Sequence, residues 1–150
     1  MDGSRLLDAL DLCYTAMQDP AAFQTLTETL AADLGAEAGD LVIEHLDSGE
    51  AEALGSLGFD PAFRETYDAE HLGENPWFDN LRRQDPGRFH TDATAAEGYW
   101  TSAYFNDWVR PQGFRHDIGA ALEDSRRHNI WIGFTRSETR GPFYDTEALD

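Results

Sequence analysis

Cysteine occurs once in the 150 residues, at Cys13. A disulfide framework and a zinc-thiolate cluster are therefore both excluded within one chain. Lysine is absent and all 11 basic residues are arginine, against 29 acidic ones, for a net charge of −18. A surface of that sign repels phosphate backbones and anionic lipid, so this chain alone is not expected to bind nucleic acid or a membrane surface. No apolar run approaches the roughly 18 residues a membrane helix needs. The opening MDGSRLLDALDL carries three aspartates, unlike a secretory signal or transit peptide, and the expected location is the cytoplasm. Neither G-x-x-x-x-G-K-[ST] nor G-x-G-x-x-G occurs, so no phosphate loop is indicated. No G-x-S-x-G elbow is present, and Ser56 stands in G-S-L-G on an expected strand. Cys13, between Leu12 and Tyr14, reads as a buried small hydrophobe rather than a reactive thiol.

What is present suits one domain of ordinary globular composition, 41% hydrophobic and 27% charged. Residues 4–18 read as a helix, with Leu6, Leu10, Tyr14 and Met17 on one stripe. Asp19-Pro20 resembles an N-cap followed by a first-turn proline, and Phe23, Leu26, Leu30 and Leu34 carry a second helix closed by Gly35. The period then changes. Residues 41–46 and 51–57 form an expected strand pair around Asp47-Ser48-Gly49-Glu50. Asp40, Glu44 and Asp47 flank or lie on the first of them, where solvated edge positions are the default. Asp60-Pro61 opens a helix to about Glu70, and Asn75-Pro76-Trp77 precedes at most two further turns, to Arg83. Residues 84–98 read as a long loop, with an extended piece at 88–90. A helix is expected over 102–109, stopped by Pro111-Gln112-Gly113. The clearest hairpin pairs 114–123 with 128–136, Ile130, Ile132 and Phe134 on one face and Trp131, Gly133 and Thr135 on the other. Asp145 would cap a last helix that stops about one turn in, which suggests that a longer parent protein continues it. The pattern predicts an α+β domain: an antiparallel sheet flanked by helices, the terminal helices on one face and the central helices on the other, with room for a cavity beneath the latter.

The histidines are His45, His71, His90, His116 and His128, and none stands three or four residues from another. Separate surface or hydrogen-bonded histidines are the default reading. The alternative has His45 and His116 converging from two strands, with Glu44 or Asp117, on a divalent metal, or haem held by one of the histidines, His90 included. No cofactor is called for, and no enzyme is indicated. Residues 59–108 hold eleven aromatics: Phe59, Phe63, Tyr67, Trp77, Phe78, Phe89, Tyr99, Trp100, Tyr104, Phe105 and Trp108. Tyrosine and tryptophan join a flat apolar face to a polar tip, and such side chains enclose and orient small organic ligands. The competing reading is a plain aromatic core in an interaction module with no ligand. A pocket too small for more than a few waters would favour that one.

Several blocks together resemble the N-terminal ligand-sensing domain of LuxR-type transcriptional regulators, of PAS/GAF-like kind. They are G-F-D-P-x-F at 58–63, Tyr67 with N-P-W at 75–77, Y-F-N-D-W-x-x-P-Q-G-F-R-H at 104–116, and R-x-x-x-R-G-P-F-x-x-x-E at 136–147. The resemblance implies a PAS/GAF-like fold and a small, partly apolar or aromatic ligand. Tyr67, Trp77, Tyr99, Trp100, Tyr104 and Trp108 would line its pocket, and Asn75, His116 and Trp131 would supply polar contacts. It also implies a homodimer through the first and last helices, and DNA contact only through a separate helix-turn-helix domain. In the acyl-homoserine-lactone branch an Asp-Pro pair stands where this chain has Asn75-Pro76. Asparagine accepts a ligand amide only through its neutral carbonyl, which points away from that lactone class and leaves the ligand open.

Overall fold

The computed structural model describes residues 3–71, 75–124 and 126–143. Its elements are α1 (Gly3–Ala16), α2 (Ala22–Leu34), β1 (Ala38–His45), β2 (Glu50–Leu57), α3 (Pro61–Glu70), α4 (Pro76–Arg82), β3 (His90–Thr91), β4 (Phe114–Asp124) and β5 (His128–Ser137). The five strands form one antiparallel sheet in the order β2-β1-β5-β4-β3. The expected α+β fold is the one observed. The expected terminal helix at Asp145 lies outside the described residues.

Strand alternation divides the sheet into two faces. On the first, Leu41, Ile118, Ala120, Ile132 and Phe134 pack with Ala31, Leu30 and Leu34 of α2 and with Phe143. Arg136 closes that end: its guanidinium donates to the carbonyls of Leu34, Gly141 and Pro142 and lies 3.9 Å over the Phe143 ring. The second face carries Val42, Ala121 and Trp131 and meets Tyr67, Trp77, Phe78, Leu81, Tyr99, Phe105 and Trp108 from the central segments. Gly119 sets how close α4 can come, because a Cβ there would stand 2.9 Å from Leu81 Cδ1.

Helix starts follow the local chemistry. The Asp60 side chain accepts from Ala62 N at 2.8 Å, with Pro61 next, and opens α3. Gly35 ends α2 at φ 62°, a left-handed conformation suited to glycine. Asp19 accepts from Ala21 N, but α2 begins only at Ala22, so this pair shapes the turn before the helix rather than its cap.

Three expectations about this scaffold are corrected. Cys13 is exposed, because α1 turns Ala9 and Ala16 inward. Of the expected stripe, Leu10, Tyr14 and Met17 are exposed, together with Leu7, at 46–79%, and the Leu6 side chain lies outside the described residues. Asp40 is buried, not at a solvated edge, because β1 lies between β2 and β5 and begins at Ala38 rather than Leu41. Residues 104–109 form a π-helix, followed by a 3-10 turn at Arg110–Gln112, in place of the expected α-helix. Asn106 shares in that distortion, its Nδ2 reaching the carbonyls of both Trp100 and Ser102. π segments of this kind recur at functional sites.

Candidate functional site

α3, α4 and the π-helix roof the second sheet face, and a cleft lies beneath them. Its floor is sheet: Asp40 of β1, Asp117 of β4, and Gly133 and Thr135 of β5. Phe59, Trp77, Phe78, Tyr104, Trp108 and Phe114 form walls and roof. Gly133 leaves the floor bare between its neighbours, since a Cβ there would stand 3.7 Å from Phe78 Cε1 and 3.9 Å from Trp77 Nε1. The atom-free space is about 350 Å³ with its mouth included, but the part open to a water's centre is only about 30 Å³, room for no more than a few waters.

Across the Phe78 ring lies a second, smaller cleft of about 220 Å³, lined by Glu44, Tyr67, Asn75, Phe78, Arg82 and Trp131. Among the described residues Phe78 is the one side chain lining both, and its ring lies against Trp131, centroids 4.2 Å apart and tilted by 34°. Tyr104 likewise divides the inner cleft from an outer groove that holds Glu70, His71 and Asp79.

The roof is pinned by polar tips. Asn75 caps α4, its side-chain oxygen accepting from Trp77 N at 2.9 Å and Phe78 N at 3.4 Å. Its Nδ2 donates to the Tyr67 hydroxyl at 3.2 Å. A cap of this kind is worth about 1 kcal/mol. Trp108 Nε1 donates to the Phe63 carbonyl at 2.5 Å and so ties the π-helix to α3. Tyr104 stacks on Trp108 at 5.4 Å and 19°. Two indole nitrogens lack such an answer: Trp77 Nε1 and Trp131 Nε1 are buried without a hydrogen-bond partner, one at each cleft. An orphaned buried donor costs about 1–3 kcal/mol.

The electrostatics are set by two buried carboxylates. Asp40 meets Arg64 at 2.7 Å; burial raises its pKa, and the guanidinium opposes that rise. Asp117 accepts from the Tyr99 hydroxyl at 2.6 Å. Burial pushes its carboxyl up to about 6, against the pull of the Tyr99 and Thr135 hydroxyls. Burial likewise raises the hydroxyls of Tyr67, Tyr99 and Tyr104, so all three remain protonated donors.

The residues singled out from sequence divide accordingly. Trp77, Tyr104 and Trp108 line the main cleft, and Tyr67, Asn75 and Trp131 the smaller one. Tyr99 stands behind Asp117 and lines neither. Trp100 lies under the Arg115 guanidinium, 4.0 Å away, and His116 holds Asp92 at 3.1 Å, both outside the clefts. His45 does not converge with His116. It pairs with His128 while His116 pairs with Arg136, eight positions apart along β5, or about 27 Å. Among the described residues no group of three or more His, Cys, Asp or Glu side chains could hold a metal ion. Composition points to the aromatics, Phe78 and Phe59 among them, without placing those two at the ligand; Asp117 enters only as a metal ligand, and Phe114 and Gly133 do not enter the expected site. The available signal was alternation: Trp131, Gly133 and Thr135 share a face, and a glycine between two larger residues marks a recess.

No known family profile matches the chain, and no curated protein matches it in sequence. Solved structures do. The VqsR ligand-binding domain from Pseudomonas aeruginosa superposes with TM-score 0.66 at 16% identity, over 91% of this chain and 82% of that one. SdiA in complex with octanoyl-rac-glycerol superposes with TM-score 0.62 at 15% identity, over 88% of this chain. The match spans 52% of SdiA, about half its length. At these identities the likeness is one of fold: the chain shares the sensor-domain fold of these two proteins.

Proposed function

We propose that this chain is the ligand-sensing domain of a LuxR-type transcriptional regulator, and not an enzyme. The observation that carries the reading is the roofed aromatic cleft, with the Trp77 indole N–H buried at its wall and unanswered. A protein seldom keeps such a donor unless water or a ligand completes it. The fold shared with the VqsR and SdiA sensor domains supports the same reading, and SdiA's bound octanoyl-glycerol shows a partly apolar molecule in one of those relatives.

The ligand packs against Trp77, Tyr104 and Trp108. Phe78 swings aside to join the two clefts, which are too small singly. Ligand binding favours the wider arrangement and shifts the population toward it. The helices over the cleft move with their side chains, and the shift passes to a homodimer built on the exposed stripe of α1. DNA contact belongs to a separate helix-turn-helix domain.

One observation favours the rival, a ligand-free interaction module: the space open to water in the main cleft is only about 30 Å³. Native mass spectrometry beside the denatured mass separates the two. The expected result is an extra mass of a few hundred daltons, lost on denaturation, on a dimer. An apo mass, together with no thermal shift from any of a panel of small aromatic and acyl compounds, would refute the sensor reading.

A further inference from the structure

Of the two carboxylates in the main cleft, one is already neutralised. Asp40 faces Arg64 at 2.7 Å. Asp117 is 7% exposed, and among the described residues no arginine or histidine stands within ion-pair distance of it. The Tyr99 hydroxyl takes one of its acceptor positions, out of about four that a carboxylate offers. A buried carboxylate that hydroxyls answer but no ion pair does is costly, and the Asp92 carboxylate nearby adds to that cost while His116 eases it. A single positive charge would bring the cleft to neutrality.

The walls suit a cation. The Trp108 face stacks on Tyr104 at 5.4 Å, Phe59 lies 5.4 Å from Trp108, and Phe114 meets Phe59 edge-on at 5.9 Å. Such faces attract an ammonium through their quadrupoles. The outer groove beyond Tyr104 is lined by Glu70 and Asp79, and the chain's net charge is −18. Both enrich cations at the mouth and repel anions. The third polar element is the Trp77 Nε1 donor, buried and unpartnered, which asks for an acceptor on the ligand.

Resting on the sensor reading above, we propose that the ligand is an organic cation: one ammonium group set against Asp117, an apolar body between the aromatic walls, and an oxygen that accepts from Trp77 Nε1.

Three matched probes test it on the 150-residue chain: 2-phenoxyethylamine, 2-phenoxyethanol and phenoxyacetate, titrated by calorimetry near pH 7.5. They share a body and an ether oxygen and differ in charge. The amine is expected to bind about tenfold or more tighter than the alcohol, with no binding of the acid. Asp117→Asn, of nearly the same shape, is expected to bring the amine down to the alcohol's affinity. The wild-type ratio stands by itself if that variant fails to fold. The inference is overturned if the alcohol or the acid binds as well as the amine, if Asp117→Asn keeps the preference, or if none of the three binds. Binding by the alcohol or acid would leave the cleft a ligand site with its charge preference misassigned. Silence from all three, with no co-purified mass, would remove both readings.

Discussion

Phe78→Ala asks whether the two clefts are one interrupted site. The ring is 6% exposed, lies tilted against Trp131 at 4.2 Å, and is the side chain common to both linings among the described residues. Truncating a buried phenylalanine costs about 3–5 kcal/mol through lost transfer energy and the cavity left behind. For a domain of this length that lowers Tm by about 6–20 °C. The variant then holds a joined space between Trp77 and Trp131, walled by aromatic faces and floored by Gly133. A small apolar molecule such as toluene or indole can fill it, as engineered apolar cavities do. At a hundred times its dissociation constant the filler restores about 2.7 kcal/mol, more than half of the loss. In the wild type the ring occupies the space, and the same compounds shift Tm by about 1 °C or less. The assay is differential scanning fluorimetry of both proteins against a filler series. A variant that loses under about 1 kcal/mol would show that the ring does not pack as described. Equal responses of the two proteins, or a destabilised variant that no filler rescues, would show that the clefts do not join.

Three further outcomes are expected. Gly133→Ala places a methyl at ordinary contact distance from Phe78 and Trp77, so Tm is expected to stay within about 3 °C while ligand affinity falls about tenfold or more; retained affinity would remove Gly133 from the site. Burial pushes the Asp117 carboxyl up from its ordinary 3.8 to about 6, so the native state binds the extra proton between those values and stability falls as pH rises through them, by about 3 kcal/mol in all. Tyr99, Thr135, Asp92 and His116 face that group and persist in Asp117→Asn, so urea melts should show the variant the more stable near pH 7.5 and level with wild type below about pH 4; a pH-independent difference would refute the assignment. Tyr14 on α1 and Met17 in the turn after it are 71% and 79% exposed, and Tyr14→Glu with Met17→Glu is expected to turn a sedimenting dimer into a monomer without lowering Tm, whereas a monomeric wild type at high concentration would dispose of that interface.

What could be read from sequence was what neighbouring residues decide. Asp60-Pro61 announced a helix start, Gly35 a helix end, and the alternation from Ile130 to Thr135 the two faces of β5, while Asn75-Pro76 read as an interruption and proves to be the cap of α4. What could not be read depends on partners distant in sequence. Asp40 looks like an edge carboxylate until β5 pairs along its far side and Arg64, 24 residues on, closes against it. Cys13 and Leu10 look like core until α1 is found to pack on α2 with the small residues Ala9 and Ala16 buried. Trp100 and His116 carry the residue types of a binding site, but each faces a charge outside it, Arg115 and Asp92. The cleft itself is of the second kind. Its aromatic walls show in composition, yet its charge depends on which of 29 acids is buried without an arginine against it once the sheet has formed. Asp117 takes that position because β4 pairs with β5 in the register that sets it opposite Thr135, with Tyr99 brought in from the loop above. A shift of one residue in that pairing would turn Ile118 into the cleft and Asp117 onto the α2 face. The character of the site is therefore decided by strand register, which no local pattern in this chain states.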